Sequence, residues 1–143
     1  MPKRKANAIW EGDLKSGKGT LSVESGLFSG RYSFTSRFEE GTGTNPEELI
    51  GAALAGCFSM ALSADLSNAG YTADEIRTEA TVSIEKGEGG FAITKIVLDT
   101  KAIVPKISMD EFAEVASGTK KNCPVSKALT GVDIQLQAHL KKQ

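Results

Sequence analysis

Apolar and polar residues alternate in short bursts through the first forty positions, and turn residues separate the bursts. Ile9-Trp10 opens a short strand that Glu11-Gly12-Asp13 closes, and Ser16-Gly17-Lys18-Gly19 forms a second turn. From Thr20 to Glu24, Leu21 and Val23 share one face of a strand, with Ser22 and Glu24 on the other. After Ser25-Gly26, the stretch Arg31 to Phe38 alternates Tyr32, Phe34, Ser36 and Phe38 against Ser33, Thr35 and Arg37. That pattern predicts a third strand, with Arg37 opposite the aromatic row or in a second layer behind it. The period then changes. Asn45 is a good N-cap, Pro46 suits the first helical position, and Glu47 and Glu48 complement the positive end of the dipole. Ile50, Ala53, Leu54, Cys57, Met60 or Ala61, and Ala64 then recur at helical spacing, and Gly70 supplies a stop. A helix over about 24 residues, Pro46 to Ala69, spans about 36 Å. Gly51, Ala52, Ala55 and Gly56 occupy much of its other side. Such a helix is buried on more than one face, with a sheet on one side and another helix or a second subunit on the other.

The second half returns to alternation. Ala80, Val82 and Ile84 oppose Thr81, Ser83 and Glu85. Gly87-Glu88-Gly89-Gly90 is a hairpin turn, and Phe91 to Val104 a long β-branched strand closed by Pro105. Ser108-Met109-Asp110-Glu111 has the capping-box pattern, so a second helix starts there, turns Phe112 and Val115 inward and ends near Lys120-Lys121-Asn122. Cys123-Pro124 restarts a short helix to Leu129, and Val132 to Leu140 forms a last strand. The expectation is one α+β domain over residues 1–143, with antiparallel sheets packed around a long central helix.

Composition narrows the chemistry. Lys plus Arg total 17 and Asp plus Glu 18, a net charge of −1, without the basic excess of a nucleic-acid binder. The 40% hydrophobic and 24% charged fractions are those of a globular chain rather than a disordered one. The longest uncharged stretch, Leu49 to Ala64, is shorter than a membrane span and contains Gly51, Gly56, Ser59 and Ser63. The basic Met1–Asn7 segment precedes no apolar run of signal length, so a cytoplasmic protein without membrane contact is expected. Two cysteines and one histidine do not make up a zinc site, and no metal or cofactor is expected. His139 falls on the polar face of the last strand with Gln135 and Gln137, as a surface histidine. Gly41-Thr42-Gly43 precedes a helix but lacks the third glycine of a dinucleotide fingerprint.

The cysteines carry the remaining signal. Cys57 lies mid-helix on the apolar stripe, either as a small hydrophobe or as a thiol in need of a nearby cation, since burial alone raises its pKa. Cys123, before Pro124, is either a turn residue or an N-cap thiol favoured as thiolate by the helix dipole. Two thiols in such environments are the minimal parts of a thiol redox cycle.

These residues match a known family. Trp10-x-Gly12, Gly17-Lys18-Gly19, Glu24-Ser25-Gly26, Thr44-Asn45-Pro46-Glu47-Glu48-Leu49, Gly56-Cys57-Phe58-Ser59-Met60-Ala61-Leu62 and Cys123-Pro124-Val125-Ser126 closely resemble the OsmC/Ohr family of thiol peroxidases, over essentially the whole chain. Arg37 before the helix, instead of an arginine in an N-terminal glycine-rich segment, resembles the OsmC branch. The resemblance implies an intertwined α+β homodimer that reduces organic hydroperoxides. It implies Cys57 as peroxidatic cysteine, Cys123 as resolving cysteine, Arg37 as the cation beside the Cys57 thiolate, and Glu47, with Glu48 as alternate, as the carboxylate that orients Arg37. A dithiol of lipoyl type is the reductant it implies. On a straight helix Glu47 and Cys57 stand about 15 Å apart along the axis, so Arg37 or a second subunit has to connect them. Phe28, Phe38, Leu54, Phe58 and Met60 are candidates for an apolar substrate wall. Two other functions fit the same residues: a non-catalytic stress protein binding an apolar ligand against Ile50, Leu54 and Phe58, and a redox sensor built on the cysteine pair.

Overall fold

The computed structural model describes residues 1–141. Its elements run β1 (Ala6–Glu11), β2 (Lys18–Val23), β3 (Ser29–Tyr32), α1 (Phe34–Phe38), α2 (Pro46–Asn68), β4 (Glu75–Gly87), β5 (Gly90–Ile103), α3 (Met109–Asn122), α4 (Pro124–Ala128) and β6 (Asp133–Leu140). The backbone packs as two units, residues 1–49 and the remainder from Ile50 onward.

The first unit is an antiparallel meander in the order β1-β2-β3. Register pairs Trp10 with Gly19 and Gly19 with Tyr32, which sets the two rings on one face. Their centroids are 5.4 Å apart. A Cβ on Gly19 would lie 2.5 Å from the Tyr32 ring and 2.6 Å from the Trp10 ring, so only glycine fits between them. The third strand stops at Tyr32 and does not run to Phe38 as the alternation suggests. Ser33 ends it by capping α1: its hydroxyl accepts from the Ser36 amide at 3.2 Å, and the Ser36 hydroxyl accepts from the Ser33 amide at 2.8 Å. Phe34 and Phe38 satisfy a strand period and a helical i,i+4 spacing equally. The capping serines decide for the helix, where the rings meet tilted with centroids 5.1 Å apart. Arg37 therefore projects from a helical turn. Asn45 caps α2 as expected, accepting from the Glu48 amide at 2.7 Å, and its amide group donates to the Ser36 carbonyl at 2.9 Å.

In the second unit the strand order is β4-β5-β6. The β4–β5 hairpin is antiparallel, with a bulge at Ser83/Ile84. β6 lies parallel to β5, so the expected wholly antiparallel sheet is a mixed one. The cause is topological: parallel neighbours need a crossover, and α3 with α4 supplies it. α2 ends at Asn68, one residue short of expectation; Gly70 takes φ +97°, and the Tyr71 amide returns to the Leu66 carbonyl at 2.9 Å. Leu54, Phe58, Leu62 and Leu66 form an i,i+4 row on α2, fully buried with Ile96, Leu98, Phe112, Ala116 and Cys123. α2 is long and apolar enough to cross a membrane by length and composition. That buried row makes it a core helix instead. A Cβ on Gly51 would stand 3.2 Å from Val82, a close approach of α2 to β4. Ala52, Ala53, Gly56, Met60 and Ala64 stay exposed.

Candidate functional site

The four expected site residues fall into two pairs, one in each unit. In the first unit the Nε of Arg37 donates to Glu47 Oε1 at 2.8 Å and to Oε2 at 3.3 Å. Glu47 is 6% exposed, which makes this its principal compensation for lost water. Glu48 does not compete, since its carboxylate accepts the Thr44 hydroxyl at 2.9 Å. The guanidinium carbon lies 5.1 Å from the Phe38 ring centroid, within cation–π range. Beside Arg37 is a cavity of about 220 Å³ lined by Trp10, Leu14, Tyr32, Phe34 and Phe38. It is mostly apolar, with one cation at its wall.

In the second unit the Sγ atoms of Cys57 and Cys123 are 3.0 Å apart, and both thiols are free. Cys57 reaches this point from the middle of α2. Cys123 reaches it as the residue that closes α3 and caps α4, with Pro124 at the first helical position. Cys123 is 1% exposed and Cys57 is half-buried, so only Cys57 is open to a reactant. Burial pushes the Cys57 thiol up, and the hydrogen bond and charge of Cys123 push it further. Burial also raises Cys123, but the bond to Cys57, the Ser126 amide and hydroxyl and the Val125 amide outweigh it and leave that thiol below its ordinary value. Two sulfurs this close hold one negative charge readily and a second only with difficulty.

Other candidates sort out plainly. Leu54 and Phe58 are fully buried in the core, which removes them from a substrate wall and deprives an apolar-ligand site of two of its three lining residues. Met60 is 79% exposed, and Phe38 lines the cavity beside Arg37. His139 stands on the outer face of β6 with Nε2 3.5 Å from Asp99 Oδ1, a surface position as expected. Gly43, at φ +112°, lets the Thr44 amide bond the Arg31 carbonyl at 2.8 Å, so the Gly41-Thr42-Gly43 loop serves the backbone rather than an anion. Among the described residues no group of acidic, cysteine or histidine side chains forms a metal site. Sequence patterning missed two features. One is Ser126, whose hydroxyl donates to Cys123 Sγ at 3.5 Å and whose spacing three residues past a cap was the available signal. The other is the cavity lining beyond Phe38, which a strand reading of Arg31 to Phe38 does not bring together.

Residues 39–137 match the family model described as OsmC-like protein. The chain is 51% identical over 139 residues, 96% of each sequence, to Peroxiredoxin OsmC of Escherichia coli (strain K12). It is 33% identical over 99 residues, 67% of this chain and 70% of the relative, to the organic hydroperoxide resistance protein OhrB of Bacillus subtilis (strain 168). The crystal structure of the Bacillus subtilis OhrB superposes with a TM-score of 0.74 at 27% identity, covering 96% of this chain and 98% of that one. The chain belongs to the OsmC/Ohr family of peroxidases.

Proposed function

We propose that the protein reduces organic hydroperoxides to alcohols through Cys57 and Cys123. The observation that carries this is a pair of free thiols with sulfurs 3.0 Å apart, one reachable and one buried. Cys57, the exposed member, reacts as thiolate once its proton has passed to the more acidic Cys123 across the 3.0 Å contact. The Cys57 thiolate attacks one peroxide oxygen, the O–O bond breaks, and the alkoxide leaves as alcohol on taking a proton. Cys57 is then a sulfenic acid. Cys123 attacks its sulfur, a disulfide forms, and the sulfenic oxygen leaves as water. An external dithiol, of lipoyl type by family resemblance, restores both thiols by exchange and becomes a disulfide itself.

Arg37 is the cation this reaction assigns to the thiolate and to the developing charge on the peroxide oxygen, with Glu47 orienting it. The apolar cavity beside Arg37 supports organic substrates over hydrogen peroxide, because each CH₂ removed from water contributes about 0.8 kcal/mol. A homodimer is part of the proposal: α2 leaves Ala52, Ala53 and Gly56 uncovered, small enough for close helix approach, with the apolar Met60 exposed beside them. Two free thiols suit the reducing cytoplasm.

Free-thiol titration with turnover on cumene hydroperoxide, with and without dihydrolipoamide, tests it. Loss of two thiols per chain, recovery with the dithiol, no turnover in Cys57→Ser and a single turnover in Cys123→Ser are expected. Wild-type turnover in Cys57→Ser overturns the proposal. Slow oxidation without dithiol-driven turnover would make the pair a redox sensor.

A further inference from the structure

Cys123 has little freedom of its own. Its amide donates to the Thr119 carbonyl at 2.9 Å, the bond that closes α3. Thr119 is fully buried, and its hydroxyl lies 2.5 Å from Asp65 Oδ2 and 3.0 Å from the Val115 carbonyl. A hydroxyl has one proton to donate. The shorter contact falls at the length of a charge-assisted O–H···O⁻ bond, about 2.5–2.7 Å, so Asp65 receives it. Asp65 sits on α2, the helix that also carries Cys57. Cys57, Ala61 and Asp65 are spaced i, i+4, i+8 and thus share one ridge of that helix. The connections close a circuit: Cys57 along α2 to Asp65, across to Thr119, along the last turn of α3 to Cys123, and across to Cys57 at 3.0 Å.

We infer that Asp65 and Thr119 are positioning residues for the resolving step, holding Cys123 Sγ at the attack distance from Cys57. The inference rests on the proposed function and deepens it. Neither residue touches the reacting atoms. Their effect is on effective concentration: a sulfur held in place attacks the Cys57 sulfenic acid as an intramolecular partner. The circuit confines their influence to resolution, because the attack of Cys57 on the peroxide needs no fixed Cys123. α3 has a second tie to the end of α2, where the Tyr71 hydroxyl donates to Glu111 Oε1 at 2.6 Å. That bond lies at the far end of the helix and serves as a built-in control.

Stopped-flow oxidation with cumene hydroperoxide, combined with dimedone trapping of sulfenic acid, separates the two steps. In Thr119→Val and Asp65→Ala, sulfenic acid formation stays within about twofold of wild type while disulfide formation slows about tenfold. Dimedone-trapped Cys57 accumulates accordingly. Thr119→Ser restores the wild-type partition. Equilibration with a reference dithiol gives a second readout without turnover: a tenfold loss of effective concentration raises the Cys57–Cys123 potential by about 30 mV. Tyr71→Phe lowers thermal stability but changes neither the partition nor the potential. Should Asp65→Ala fail to fold, Asp65→Asn keeps the acceptor and is expected near wild type, with Thr119→Val carrying the test. Unchanged resolution and potential in Thr119→Val, or equal slowing of both steps, overturns the inference. Absence of the disulfide in oxidised wild-type protein overturns the proposed function itself, and the two failures are distinct.

Discussion

Arg37 holds Glu47 through Nε alone: one N–H faces both carboxylate oxygens, at 2.8 and 3.3 Å. The contact is not the two-bond fork an arginine forms with its terminal nitrogens. The Nη groups are thus left to other work, with the Phe38 ring fixing one side of the plane. Lysine is not equivalent, because its three donors share one nitrogen and cannot reach from Glu47 to a second group the way Nε and the Nη groups of a planar guanidinium do. Arg37→Lys is therefore expected to lower kcat/KM for an organic hydroperoxide about tenfold or more, and Glu47→Gln by a smaller factor, in steady-state assays. Arg37→Ala leaves the buried Glu47 carboxylate without its principal partner and is expected to cost about 1–3 kcal/mol in urea denaturation.

The paired thiols predict a pH signature. Cys123 lies below its ordinary value and Cys57 above it, so the pair loses its first proton early and its second late. Iodoacetamide alkylation against pH should show two midpoints in the wild type. In Cys123→Ser the neighbour's charge is gone, and the single Cys57 midpoint falls below the upper wild-type midpoint. It still lies above that of a free thiol, because burial, the first cause of its rise, remains. An unmoved midpoint would show that the sulfurs do not interact in solution.

Oxidation should stabilise the chain. A Cys57–Cys123 disulfide joins residues separated by 66 positions, and on the chain-entropy account that closure contributes about 4 kcal/mol. For a chain of this length the melting temperature should rise by roughly 10 °C between the reduced and the oxidised protein, measured by calorimetry. A rise of this size requires that oxidation leave the native packing intact.

The uncovered side of α2 gives a prediction about association. A Cβ on Gly56 meets nothing within 4 Å, so Gly56→Ala should fold as well as wild type and gain about 0.5–1 kcal/mol of helix stability. Gly56→Leu places a bulky group where the proposed second chain packs. Sedimentation equilibrium should show a dimer dissociation constant raised about tenfold or more with helix content unchanged. An unchanged constant would remove this face from the interface.

Most elements were legible because local chemistry marked them. Asn45-Pro46, Ser108 and Cys123-Pro124 each start a helix where their residue types require one. The cysteine pair was legible through motif and cap position. Three features were not. Tyr32 to Phe38 carries a pattern that fits both periods, and the deciding bonds between Ser33 and Ser36 are side chain to backbone, which hydrophobic alternation does not register. The parallel pairing of β5 and β6 is a tertiary choice, since β6 alternates equally well beside a strand of either direction. Asp65 and Thr119 looked like ordinary polar positions on two helices, and only their 2.5 Å contact gives them a shared task.

The crossover between β5 and β6 has a consequence for when the chemistry arises. Cys123 rides on the span that must leave the sheet, pass through α3 and α4 and return before β6 can pair. Until that span has closed, the chain holds two separate, unremarkable cysteines with no common charge to share. Loop-closure entropy has to be met before a contact between residues so far apart in sequence forms. The reactive pair is therefore a property of the closed crossover, and neither cysteine carries it alone.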